Sequence, residues 1–90
     1  MYKIIFTEAY TKRAIRFIRK NPQLRKQYEK SLLLLELNPY HPSLRLHRLQ
    51  GKLKDLHSVS INLSYRITIE FLIRDQTIIP VAVGSHDEIY

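Results

Sequence analysis

The sequence predicts an α+β fold in the order β-α-α-β-β-β, with a helical hairpin packed on one face of a twisted, mainly antiparallel four-stranded sheet. Three observations predict it. Apolar residues recur at helical spacing in two segments that meet at Asn21-Pro22. They alternate at strand spacing in three later segments separated by turns. A short β-branched and aromatic run at residues 2–6 precedes both patterns.

Residues 2–6 (YKIIF) form the first strand. Thr7 follows as a helix N-cap, and Glu8 sits favourably in the first turn. Tyr10, Ala14, Phe17 and Ile18 then share one helical face, while Lys12, Arg13, Arg16, Arg19 and Lys20 fill the rest. Asn21-Pro22 ends this helix and starts the next. Leu24, Tyr28, Leu32 and Leu35 give the second helix its stripe, and Asn38-Pro39 stops it. The very short joint predicts an antiparallel hairpin, whose stripes need a sheet to cover.

Residues 39–55 read as a loop punctuated by Pro39, Pro42 and Gly51. The strand at 57–62 places Val59 and Ile61 on one face and Ser58, Ser60 and Asn62 on the other. Leu63-Ser64 turns the chain into a strand at 65–73, where Ile67, Ile69, Phe71 and Ile73 alternate with Arg66, Thr68, Glu70 and Leu72. Arg74-Asp75-Gln76 turns it again. The last strand, 77–83, puts Ile79, Val81 and Val83 on one face, and Pro80 demands an edge or irregular position. One sheet face is therefore apolar and covers the helices. The other carries Ser58, Ser60, Asn62, Arg66 and Thr68, a polar floor for a cleft.

The 90 residues, 1–90, read as one domain. There are no cysteines, which excludes disulfides, thiolate nucleophiles and Cys-based zinc sites. The opening has no apolar run before a small-residue cleavage site, and the longest apolar run, 32–35, is far short of a membrane span. A cytoplasmic protein with no membrane partner is expected. Residues 1–54 carry 13 Lys and Arg against Glu8, Glu29 and Glu36, a balance of +10. Residues 55–90 carry Arg66 and Arg74 against Asp55, Glu70, Asp75, Asp87 and Glu88, a balance of −3. Such a field suits a polyanion, either a nucleic acid or an acidic protein.

Three stretches carry a resemblance. They are residues 46–54 (LHRLQGKLK), residues 58–69 (SVSINLSYRITI) and residues 84–90 (GSHDEIY). Together they resemble the RelE/ParE toxin superfamily, and within it the RelE-like and YafQ-like messenger-RNA interferases. The resemblance spans the whole chain. It implies a microbial-ribonuclease-like fold, entry into the ribosomal A site, cutting of the messenger there, and a cognate acidic antitoxin that neutralises the toxin. On the YafQ-like pattern, His47 and His86 match catalytic histidines and Tyr90 a C-terminal aromatic. On the RelE-like pattern, Lys52 and Lys54 match loop lysines and Arg66 a central-strand arginine. Arg45 and Arg48 are read as further RNA contacts. The sequence departs from the YafQ-like pattern at Ser58, Ser60 and Ser64, which align with acidic and histidine positions and cannot inherit their acid–base role.

The chemistry needs no metal or small-molecule cofactor. An RNA 2′-hydroxyl attacks the adjacent phosphorus and expels the 5′-oxygen. It is helped by a base on the hydroxyl, an acid on the leaving oxygen and positive charge at the phosphate. Histidine suits the first two tasks and the arginine fork the third. His47 and His86 are expected to share the acid and base roles. Lys52 and Lys54, alternating around Leu53, are expected to face the RNA backbone, and Tyr90 to stack on a base or touch the phosphate. His41 and His57 are read as non-catalytic, and His86-Asp87-Glu88 as no metal site. Two other functions stay open: a ParE-like inhibitor of DNA gyrase without ribonuclease activity, and a non-enzymatic module that binds RNA or an acidic protein.

Overall fold

A computed structural model describes residues 1–85 and Asp87. Strand β1 (Lys3–Ile4) leads into helix α1 (Glu8–Lys20). The Thr7 hydroxyl accepts from the Tyr10 N–H at 3.1 Å, so the predicted cap forms. Asn21 closes α1, a 3-10 turn at Pro22–Leu24 reverses the chain, and α2 (Arg25–Leu37) runs to Asn38. Then come β2 (His47–Arg48), β3 (His57–Ser60), β4 (Tyr65–Leu72) and β5 (Thr77–Ser85).

The sheet order is β1-β5-β4-β3-β2; β1 runs parallel to β5 and every other pairing is antiparallel. The sheet therefore has five strands, not the four expected. The extra strand is β2, inside the stretch read as loop. Two residues paired only with β3 are too short for a periodic signal, and the pairing is written in β3 rather than in β2.

The core lies between sheet and helices. Tyr10, Tyr28, Leu35, Leu44, Val59, Ile67, Ile69 and Ile78 form one buried cluster. Leu24, Tyr28 and Leu35 of the predicted second stripe are buried, and Leu32 packs against the cluster from a half-buried position. Inside the core the Tyr10 and Tyr28 hydroxyls bond to each other at 2.8 Å, which satisfies two groups that burial would otherwise penalise. Ser31 is also buried on α2. Its hydroxyl donates to the Gln27 carbonyl at 3.0 Å and the Ser60 carbonyl at 3.3 Å, tying the helix to β3.

The face of β5 differs from expectation. Thr68 pairs with Ala82 and Ile69 with Pro80, so Val81 is an extra residue at a β-bulge. Alternation restarts there. Ile78 and Pro80 lie on the helix side with Phe71 and Ile69, as does Val83 with Ile67, whereas Ile79 lies opposite Glu70 on the other face. Pro80 sits at the irregular position its missing N–H requires. β1 has ended by then; its last cross-strand bond runs from the Ile5 N–H to the Ile78 carbonyl at 2.9 Å. The Arg13 Nη1 donates to the Val81 carbonyl at 2.8 Å, covering part of this open edge.

Candidate active site

Side chains paired across an antiparallel sheet share a face, so the registers map the site. His47 pairs with Ser58, Ser58 with Thr68, and Thr68 with Ala82. The neighbouring row is Ser60, Arg66 and Gly84. His47, Ser58, Ser60, Arg66 and Thr68 therefore stand on the face away from the helices, the predicted polar floor. Standard strand spacings put the Cα atoms of His47 and Arg66 about 12 Å apart, two strands over and two residues along. Side chains of that length can meet over one phosphodiester.

The floor is less open than its polarity suggests. Ser58, Ser60 and Thr68 are buried. The Ser60 hydroxyl donates to the Asn62 carbonyl, but the Ser58 and Thr68 hydroxyls make no hydrogen bond. The Nη1 of Arg66 is also buried and without an acceptor. Among the described residues the ion pairs are Lys12–Glu8, Arg25–Glu29 and Arg48–Asp55, so Arg66 belongs to none. A guanidinium nitrogen in this condition has an unmet need for an oxygen.

The remaining candidates fall into three places. His47 is exposed, and its Nδ1 lies 3.1 Å from the Arg45 carbonyl. Arg45 itself is exposed, with a left-handed backbone at φ 49° and ψ 45°. Arg48 stands on the opposite face, paired with His57; its Nε donates to the Lys54 carbonyl at 2.8 Å and its Nη2 lies 4.0 Å from Asp55. It ties down the loop that carries the lysines. That loop is a 3-10 turn at Gly51–Leu53, entered through the left-handed φ of 69° at Gly51, a conformation that glycine adopts without strain. Lys52 and Lys54 are exposed, but strand-like alternation around Leu53 is absent because the backbone turns there. His86 and Tyr90 lie outside the described residues.

The other histidines have local partners. The Ser43 N–H donates to the His41 Nδ1 at 3.2 Å, so His41 caps the 3-10 turn at Pro42–Leu44. The His57 ring meets Phe71 edge-on with centroids 5.4 Å apart. Burial, then the nearby Arg48 charge and His47, hold its pKa below the ordinary 6.5.

A second cationic feature lies elsewhere and was not singled out as a site from sequence. A cleft of about 420 Å³ between α1 and β5 is lined by Arg13, Arg16, Lys20, Phe17, Asn21 and the backbone stretch at Ala82 and Val83. The i, i+3, i+7 spacing of its three cations was its only sequence signal. Among the described residues no group of three or more His, Asp or Glu could hold a metal ion, and no helix is long and apolar enough to cross a membrane.

No protein-family model and no curated protein matches the sequence. Solved structures do match the fold. YafQ from Escherichia coli superposes with a TM-score of 0.80 at 14% identity, over 100% of this chain and 99% of that one. The chain has the fold of the RelE/YafQ-like toxins. A metal-bound toxin from Helicobacter pylori follows the same path with a TM-score of 0.73 at 22% identity, over the whole of both chains. The YoeB–YefM complex from Staphylococcus aureus matches with a TM-score of 0.71 at 18% identity, over 96% of this chain and 98% of that one. The matches to YafQ and to the Helicobacter pylori toxin span the whole of this chain, the stretch that carries β2 included.

Proposed function

We propose that this chain is the toxin of a type II toxin–antitoxin pair and a metal-independent endoribonuclease that cuts messenger RNA in the ribosomal A site. The observation that carries the reading is the register that sets His47 and the acceptor-poor Arg66 on one polar sheet face. An imidazole and a guanidinium at that separation fit the needs of phosphodiester cleavage, one moving a proton and the other holding the phosphate.

In this reading an imidazole takes the proton of the RNA 2′-hydroxyl. The 2′-oxygen bonds to phosphorus, the bond from phosphorus to the 5′-oxygen breaks, and a second imidazole protonates the leaving oxygen. The products are a 2′,3′-cyclic phosphate and a 5′-hydroxyl. Arg66 offers its guanidinium to the phosphate as charge builds there. Lys52 and Lys54, past one end of β2, and Arg45, before the other, hold the flanking backbone, while Arg48 keeps the lysine loop in place. His86 is the partner imidazole and Tyr90 stacks on a base. The cognate partner is an acidic antitoxin, and the site of action is the cytoplasm. The toxin neighbours, one of them solved as the YoeB–YefM complex, support the partner.

Induced expression followed by primer extension on translated messages tests the reading. The expected result is growth arrest with new 5′ ends inside codons. Replacing either Arg66 or His47 by Ala lowers cleavage by about 100-fold or more while the chain stays folded. Arrest with intact messages and damaged DNA replication would instead favour gyrase inhibition.

A further inference from the structure

We propose that Arg45 is a positioning residue, whose left-handed backbone aims its carbonyl at Nδ1 of His47 and thereby makes Nε2 the atom that takes the proton. The inference rests on the ribonuclease reading above, taken with His47 as the base, and names the ring nitrogen that exchanges the proton; the same nitrogen would serve with His47 as the acid.

A carbonyl oxygen only accepts, so the 3.1 Å contact from the Arg45 carbonyl requires a proton on Nδ1 of His47. The neutral ring then carries its lone pair on Nε2. His41 shows the opposite case six residues earlier. The backbone N–H of Ser43 only donates, so the lone pair of His41 is on Nδ1 and its proton on Nε2. Two histidines in one short segment are thus written in opposite tautomers by their backbone partners.

The His47 contact also survives catalysis. When Nε2 takes the proton of the 2′-hydroxyl, the resulting imidazolium keeps its Nδ1–H and its bond to Arg45. The 2′-oxygen closes on phosphorus, and the leaving 5′-oxygen draws its own proton from the second imidazole or from water. No rearrangement of His47 is needed at the moment of reaction.

The backbone that makes this contact is unusual. Arg45 and Gln76 are the non-glycine residues with positive φ among the described residues, and Gln76 lies in the β4–β5 turn. A side-chain-bearing residue adopts this conformation at a cost and keeps it only where its surroundings over-determine it. Here they do. Leu44 is fully buried on one side and Leu46 packs against the core on the other. The Arg45 N–H donates to the Pro42 carbonyl at 3.2 Å, and beyond it β2 pairs His47 with Ser58. The carbonyl direction is therefore fixed from both sides.

The test uses the full chain with labelled histidines. Long-range proton–nitrogen correlation spectra, recorded where the rings are neutral, should show His47 with Nδ1 protonated and His41 with Nε2 protonated. Arg45→Gly keeps the left-handed backbone and removes the guanidinium, itself an RNA contact in the reading above; it should retain the His47 tautomer and lower single-turnover cleavage less than the variants that disfavour that backbone. Arg45→Val and the milder Arg45→Ala, each checked for a native-like amide spectrum, disfavour that backbone. They should mix the His47 tautomers and lower cleavage by about 10-fold or more.

Equal losses in Arg45→Gly and Arg45→Val, with the tautomer intact, would show that the guanidinium acts by its charge and would overturn the proposal. A wild-type His47 protonated on Nε2 would overturn it as well, even in a chain that cuts RNA. A chain that holds the Nδ1–H tautomer yet cuts no RNA would overturn the ribonuclease reading and with it the base role, while the hold of Arg45 on the ring would stand.

Discussion

At the scale of single residues, the Tyr10–Tyr28 hydroxyl pair is the sharpest case of a group that matters through what it leaves behind. Both hydroxyls are buried and each is the other's partner. Tyr10→Phe removes one and orphans the other, so the expected loss is about 1–3 kcal/mol, measured by urea unfolding. Replacing both tyrosines by Phe should cost less than the sum of the two single changes, because no orphan remains. The pair also sets an alkaline limit. Burial first, then the Tyr28 neighbour, raise the pKa of Tyr10 far above its ordinary 10.0. The folded chain therefore keeps a proton that the unfolded chain gives up. That stability is fully present below pH 10.0 and falls as pH rises beyond it. Unfolding midpoints measured across that range should decline, and the decline should shrink in Tyr10→Phe. The tyrosines were legible as core residues from their helical spacing; their pairing was not, because spacing says which face a residue takes and nothing of its partner on another helix.

At the scale of elements, the two helices and the antiparallel strands were legible because each repeats its pattern over several residues; the Thr7 cap forms as expected, whereas Asn21 makes no side-chain N-cap bond and α2 starts only at Arg25, after the 3-10 turn. What escaped was set by single-residue events. The bulge at Val81 shifts the later half of β5 by one residue, and a period-two reading cannot detect an added residue that carries no glycine. β2 escaped by being two residues long. That small strand has a measurable effect, because it sets Arg48 directly across from His57. Burial, Arg48 and His47 hold the His57 pKa below 6.5. The unfolded chain then protonates before the folded one as pH drops. The stability tied to neutral His57 is present above pH 6.5 and is lost as pH falls through the depressed folded value. A proton titration followed by NMR should place His57 below 6.5, and Arg48→Gln should move it back upward. An unchanged His57 in that variant would mean the β2–β3 register contributes no charge effect.

At the scale of the whole molecule, the sequence showed a charge split but not its geometry. The fold resolves it into two cationic regions. One is the helical layer, where α1 alone carries Lys12, Arg13, Arg16, Arg19 and Lys20. The other is the segment 45–54 beside the polar sheet face, with Arg45, Lys52 and Lys54 exposed. Because α1 packs on the side of the sheet away from His47 and Arg66, the two regions should separate experimentally. Reversing Arg13, Arg16 and Lys20 to Glu in the α1–β5 cleft should weaken binding of an acidic polypeptide, for which poly-glutamate serves as the probe. It should lower single-turnover cleavage of a short RNA less than neutralising Lys52 and Lys54 does, since the three cations sit on the helical layer and exposed charges are screened at physiological salt. Neutralising Lys52 and Lys54 should do the reverse. Binding of either polyanion to the wild-type chain should fall as salt rises, with a log–log slope that shrinks as contacting cations are removed. If poly-glutamate binding ignores both salt and the triple reversal, the cleft does not read charge.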